Sequence, residues 1–313
     1  MQYVSFNGMK VSRLTLGTVQ LGMDYGISNN SGQPSGEESF GILKMAMAAG
    51  INTLDTSPHY GNAEQLLGTW CAGFGATSSP QIVTKFRISD HHLGNVKAAR
   101  EEVIASVRAS LAMLKIPQIP CCLFHKGKDQ PVEQVLRILP SILTELQELG
   151  LIDTGGISVY YPQEVNQVLA YDNITALQVP VNIFDQRLVH NGMFKQLAAA
   201  GRLVFARSIF LQGLFFMDPD SLSGTLTGAR PYLRLLQELA VKANRSVAAL
   251  AFTYIRDMPG VSSLVFGAVN SRQVQQNVDW LKEAALPIEI TESIENIFRD
   301  IQEDILTPGV WLP

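Results

Sequence analysis

The sequence is short of several things, and each shortage excludes a class of protein. Its 313 residues contain only three cysteines, Cys71, Cys121 and Cys122. So sparse and odd a set, with one adjacent pair, is no disulfide framework, and a reducing compartment is the simplest setting. An excess of positive charge is missing too: 24 Lys and Arg against 28 Asp and Glu leave a formal charge of −4. That balance offers no broad basic footprint, so nucleic acid is not an expected partner. No run of about 18 apolar residues occurs, so no spanning helix and no membrane partner are expected. The opening residues 1–11 lack a basic flank followed by an apolar stretch. No secretory signal is read there, and a cytoplasmic location is expected. Charged residues make up 17% of the chain, below the usual quarter or so. Nothing marks a subunit interface, a disordered segment or a repeat of fixed period.

What is present is a regular alternation. Asn7-Gly8 stands between two short alternating runs, a β-hairpin signal because Asn-Gly suits a two-residue turn with both φ angles positive. From residue 14 onward, short apolar runs alternate with amphipathic stretches of helical length. Strand-like runs fall at 14–17, 51–55, 82–85, 121–125, 154–158, 176–179, 203–207 and 263–266. Helical periodicity falls at 37–49, 63–70, 95–114, 132–149, 162–170, 188–200, 231–243, 247–256 and 272–281, with a last helix over about 290–305. Length alone suggests two domains, but eight strand–helix repeats predict one α/β domain over residues 1–313. The expected fold is a (β/α)8 TIM barrel with an N-terminal β-hairpin and an extra C-terminal helix. A doubly wound open sheet would want G-x-G-x-x-G in its first turn. That turn reads Gly17-Thr18-Val19-Gln20-Leu21-Gly22, without the middle glycine.

Several predicted strands are apolar until a polar last residue. They end in Asp55, Lys85, His125, Ser158 and Arg207, and Gln178 lies near the end of the sixth. In a barrel these ends converge on one mouth, where active sites of this fold lie. Unpaired charge in a buried place is costly, so charges gathered there must pair with one another or with a ligand.

The text around Asp55 runs Asp55-Thr56-Ser57-Pro58-His59-Tyr60-Gly61-Asn62-Ala63-Glu64, with Lys85 and His125 at later strand ends. It resembles the aldo-keto reductase superfamily, NAD(P)H-dependent carbonyl reductases on a (β/α)8 barrel. The family's D-T-A-x-x-Y-G-x-x-E segment matches residues 55–64 with only Ser57 for Ala. The resemblance implies a catalytic tetrad of Asp55, Tyr60, Lys85 and His125. Tyr60 would protonate the carbonyl oxygen as hydride reaches its carbon. A free phenol is a poor acid at neutral pH, and a nearby ammonium lowers its pKa. Lys85 would supply that charge, Asp55 would hold Lys85, and His125 would position the carbonyl oxygen.

The resemblance also implies a cofactor site. Ser158 and Gln178 match residues that hold the nicotinamide carboxamide, although Val159 stands where Asn is usual. Arg207, followed by Ser208, takes the place of a tyrosine that stacks on the nicotinamide, and a guanidinium can stack likewise. Gly17, Thr18 and Asp55 would adjoin the cofactor at the first strand ends, and Gln212-Gly213 would lie in the loop enclosing its pyrophosphate. Gly267 and Ala268 would let backbone N–H groups approach phosphate at a helix start. Gln273 and Asn277 would reach the adenine. NADP(H) is the family norm and the expected cofactor, with NAD(H) as the alternative. Yet the Lys or Arg that usually grips the 2′-phosphate is absent, and Arg272 is the one nearby cation.

Other features have plainer readings. His59 reads as a loop residue beside Tyr60, and Cys121 and Cys122 as strand neighbours facing opposite ways. His91-His92 has no further ligand at fitting spacing, so no metal is expected. Pocket candidates are the loops 20–35, 126–131 and 210–229, with Phe210, Phe215, Phe216 and Trp311 as apolar walls. The tail 306–313 is short, which predicts an open pocket. A polar first loop and a short tail point to a carbonyl substrate of small-molecule size, with a sugar or sugar derivative as the candidate. The main alternative is a non-catalytic NADP(H)-binding regulatory subunit. A barrel lyase or hydrolase would want a metal cluster or paired carboxylates at the strand ends, where Asp55 stands alone.

Overall fold

A computed structural model describes residues 1–73 and 79–311. The residues of the expected domain and tail at 74–78 and 312–313 lie outside the described ones. β1 (Tyr3–Phe6) and β2 (Met9–Ser12) form the antiparallel hairpin. Asn7 and Gly8 both have positive φ, 47° and 80°, as the two-residue turn requires.

Eight parallel strands then close a barrel. They are β3 (Leu14–Gly17), β4 (Thr53–Asp55), β5 (Gln81–Phe86), β6 (Ile119–His125), β7 (Ile152–Ser158), β8 (Ala176–Pro180), β9 (Leu203–Arg207) and β10 (Ser263–Gly267). β10 pairs with both β9 and β3. The eight expected strands match these within two residues at either end. Register aligns Gly17 with Asp55, His125 with Ser158, Ser158 with Gln178, and Pro180 with Arg207. The polar strand ends therefore gather at the C-terminal mouth.

Side chains alternate across each strand. Those pointing inward make a small cluster of Val83, Cys121, Leu123, Ala176, Leu203 and Phe205, capped by Met9 and Val11 of the hairpin. Those pointing outward join the helices in a much larger core, with Cys122 in that layer. The two adjacent cysteines thus face opposite ways.

Caps explain where several helices begin. Ser35 and Glu38 form a reciprocal capping box on Gly36–Ala48. Asn95, Ser246 and Asn270 each accept a backbone N–H at the start of Val96–Leu114, Val247–Arg256 and Ser271–Trp280. Two expected helices are broken. The stretch 188–200 is divided into Arg187–His190 and Met193–Ala199 by Gly192, whose φ is 66°. The stretch 290–305 is divided into Ile288–Ile297 and Glu303–Leu306, the chain turning between them to bury Phe298 and Ile301. Among the described residues no helix is long and apolar enough to cross a membrane.

Candidate active site

The floor of the mouth is a buried charge pair. Lys85 is 1% exposed and Asp55 3%. The Lys85 ammonium lies 2.7 Å from Asp55 Oδ1, donates to the Thr56 carbonyl at 2.9 Å, and meets the Tyr60 hydroxyl at 3.4 Å. Its three protons thus have three acceptors. Gln178 Nε2 donates to the same Asp55 oxygen at 2.7 Å from the far side of the barrel. Burial works against the ammonium, but Asp55 and Tyr60 outweigh it and hold the Lys85 pKa above its ordinary value.

Tyr60 is placed by a close backbone approach. Asn62 N–H donates to the Gly22 carbonyl at 3.2 Å. A Cβ on Gly22 would fall 1.9 Å from the Tyr60 carbonyl oxygen, so only glycine lets the helix Val19–Gly22 lie against this turn. Lys85 does pull the Tyr60 pKa down as expected, but the net shift is upward. Burial is the largest influence and raises the pKa, and Asp55 adds to the rise. His125 stands at the end of β6 with Nδ1 buried and without a partner. Burial, then the positive charges of Lys85, Arg87 and Arg207, hold its pKa at about 2, so the ring is neutral. His59 sits edge-on to it at 6.4 Å, exposed and off the cleft walls.

A cleft of about 970 Å³ opens above this floor, at the upper end for small-molecule sites. Asp55, Tyr60, His125, Gln178, Arg207 and Ser208 line it on one side. Gly17, Gln212, Gly213, Gly267, Gln273 and Asn277 line it further along. Four expected cofactor contacts do not reach its walls. Thr18 is buried, with its hydroxyl donated to the Asp55 carbonyl at 3.0 Å. Ala268 is buried, and Ser158 is 1% exposed with its hydroxyl oxygen unpartnered. Arg272 is exposed. Gln273, Gln276, Asn277 and Trp280 make one face of their helix and turn to the cleft, which leaves residue 272 beside that face.

The structure holds polar groups fit for a dinucleotide. Among the described residues Ser158 Oγ and Asn277 Oδ1 are buried without partners, and such orphans want a ligand or water. The first loop reaches across to the seventh: Ile27 N–H donates to the Gln212 carbonyl at 3.0 Å. Gly213, at φ 93°, leaves room for Ser28, whose hydroxyl lies 1.9 Å from where a Cβ would stand. His92 is engaged by Glu102 at 2.7 Å, and among the described residues no group of three or more His, Cys, Asp or Glu side chains is placed to hold a metal.

Some lining residues escaped the sequence reading. Tyr160 and Tyr161 follow the fifth barrel strand end with only Val159 between, and that nearness to Ser158 was a usable signal. Asn182, Arg187 and Trp280 gave none, since each depends on how loops and helices pack. Of the expected apolar walls, Phe210 and Phe216 line the cleft. Phe215 packs into the core on Phe184 at 4.8 Å, and Trp311 donates to the Asp304 carbonyl instead. The tail does contribute: Leu306, Thr307, Pro308 and Gly309 line the cleft.

A closed parallel barrel with polar strand ends gathered at one mouth is an enzyme architecture. The chain belongs to the aldo/keto reductase family, whose family model matches residues 13–299. The family comprises oxidoreductases of carbonyl compounds that bind nicotinamide cofactors. An NADH-specific methylglyoxal reductase of Escherichia coli strain K12 is 25% identical, covering 94% of this chain and 95% of the relative. A probable voltage-gated potassium channel subunit beta of Oryza sativa subsp. japonica is 22% identical, with 96% and 97% covered. Among solved structures, the holo form of aldo-keto reductase AKR11C1 from Bacillus halodurans has a similar fold. Its TM-score is 0.75 at 22% identity, over 95% of this chain and 96% of that one.

Proposed function

We propose that the protein reduces an aldehyde or ketone to an alcohol as a single barrel domain, NAD(P)H-dependent and with Tyr60 as general acid. The observation that carries this reading is one buried ammonium, Lys85, touching both Asp55 and the Tyr60 hydroxyl. A bound nicotinamide supplies hydride to the carbonyl carbon; the chain's own residues manage the oxygen. Burial keeps the Tyr60 phenol protonated, so it has a proton to give. Its release leaves a phenolate beside Lys85, a charge already in place where negative charge develops. The neutral His125 ring donates a hydrogen bond that orients the carbonyl oxygen. Gln178 on the cleft wall, with the unpartnered Ser158 hydroxyl behind it, would hold the carboxamide, while Gly17, Ser208, Gln212 and Gly213 would border the phosphates and Gln273 and Asn277 the adenosine.

On the cofactor, the family norm favours NADP(H), but the geometry moves our reading. The cleft side chains near Gly267 are Asn270, Gln273, Gln276 and Asn277, polar without charge. A 2′-phosphate dianion wants a cation, and the one nearby, Arg272, is exposed at the edge of that face, one turn from Gln276. We therefore propose that NADH is accepted at least as well as NADPH, and that NADPH binding leans on Arg272. The proposed substrate is a small polar carbonyl compound such as a sugar derivative, in keeping with Tyr25, Tyr161 and Asn182 on the walls. The proposed location is cytoplasmic. A non-catalytic NADP(H)-binding regulatory subunit is the second reading, prompted by the channel-subunit relative; the retained Tyr60–Lys85 contact argues for catalysis.

The test is titration with NADH and NADPH, followed through Trp280 in the cleft, and then a panel of carbonyl compounds. Tyr60→Phe should keep cofactor binding and lose on the order of 10²–10⁴-fold in turnover. Equal activity in that variant overturns the assigned acid. Tight binding without turnover of any carbonyl compound supports the regulator. Simple aromatic aldehydes turning over far better than any sugar would overturn the substrate class. Arg272→Gln should weaken NADPH and leave NADH unchanged.

A further inference from the structure

We propose that Arg207, seated on Tyr160, makes the cleft discriminate between the two redox states of the nicotinamide, holding the reduced form more tightly than the oxidised one. The proposal rests on the reading of the cleft as a nicotinamide site. Arg207 ends β9, next to the strand that carries Gln178, and lines the cleft. Its guanidinium lies 4.7 Å from the centre of the Tyr160 ring. One amino group donates to the Val159 carbonyl and the other to Ser208 Oγ, each at 3.3 Å.

The platform beneath it is rigid. Glu164 Oε2 accepts the backbone N–H groups of Tyr160 and Tyr161 at 2.7 and 3.0 Å. Its other oxygen lies 2.9 Å from the Lys126 ammonium, and both side chains are buried. Lys126 directly follows His125, so this ion pair ties the β6 strand end to the turn that presents Tyr160. A tyrosine whose backbone is fixed on both sides holds the guanidinium in one place.

The charge so held is uncompensated. Lys85, Lys126 and Arg187 each sit against a carboxylate. Among the described residues Arg207 does not; its contacts are a ring, a carbonyl and a hydroxyl. A dihydronicotinamide ring is neutral, whereas the oxidised ring carries a positive charge. A fixed cation beside the ring is indifferent to the first and repels the second. For unit charges about 7 Å apart at an effective dielectric of about 20, the repulsion corresponds to tenfold or more in affinity. The spent cofactor would leave more readily than the fresh one, and release often limits turnover.

The experiment is a matched pair of dissociation constants, NADH by fluorescence and NAD⁺ by calorimetry, for wild type, Arg207→Gln and Tyr160→Leu. Wild type should bind NADH more tightly. Arg207→Gln should narrow the ratio about tenfold, mainly by tightening NAD⁺. Tyr160→Leu, which loosens the guanidinium without removing its charge, should narrow it less. An unchanged ratio in Arg207→Gln overturns the proposal, as does an unchanged ratio in Tyr160→Leu should the first variant fail to fold. Should wild type bind neither form, this proposal falls together with the reading of the cleft. An unchanged ratio with carbonyl turnover intact removes this proposal alone.

Discussion

Replacing Lys85 with methionine tests the floor of the mouth most directly. Methionine is close in length but brings no charge and no donor. The Thr56 carbonyl and Tyr60 hydroxyl would each lose the Lys85 proton, and Asp55 Oδ1 would keep only its bond from Gln178. Asp55 is 3% exposed, so water does little to replace the ammonium. Breaking a buried pair from one side costs about 3–5 kcal/mol. For a chain of this length the unfolding entropy is roughly 0.66 kcal/mol/K, so the melting temperature should fall by about 5–8 °C. Asp55→Asn should cost a similar amount by stranding the ammonium. The double variant removes both charges and leaves an amide that can still accept from Gln178. It should therefore cost less than the sum of the singles, with a coupling of about 2 kcal/mol or more. Urea titration of the four proteins measures this cycle. Singles costing under about 1 kcal/mol each, or strict additivity, would refute the reasoning.

Two further outcomes follow from the same geometry. Gly22→Ala must push the Tyr60 turn aside, because its Cβ would meet the Tyr60 carbonyl at 1.9 Å and the Ala63 backbone at 2.7 Å. It should cost about 1–3 kcal/mol and lower kcat on the order of 100-fold; full kcat at normal KM would show that the approach does not place the phenol. His125 is held near pKa 2 when folded and titrates near 6.5 when unfolded. The unfolded chain therefore binds the extra proton, and the stability contributed by the neutral ring is whole above pH 6.5 and is lost as pH falls toward 2. His125→Gln should flatten the stability–pH slope between about pH 6 and pH 4 by roughly 1.4 kcal/mol per unit. An unaltered slope would place the protonating group elsewhere.

The barrel was legible because its signals are local and repeated. Apolar runs ending in Asp55, His125, Ser158 and Arg207 mark both strand direction and mouth. The hairpin turn was legible because Asn-Gly admits few conformations. Helix 188–200 was misread as continuous because periodicity persists through Asn191-Gly192, while a single positive φ breaks it. The fate of Arg272 was not legible, since a helix face is chosen by packing and not by spacing to a motif. The net direction of the Tyr60 pKa was not legible for a related reason. A sequence places Lys85 near the phenol but says nothing about how far both are withdrawn from water.

The hairpin has a consequence for traffic. Met9 and Val11 stop the lower end of the barrel among Val83, Cys121 and Leu123, and Asn52 ties the plug to the wall through Lys10 and Ser12. With that end stopped, a ligand in the cleft exchanges through the C-terminal mouth, the end at which Asp55, Tyr60 and His125 stand.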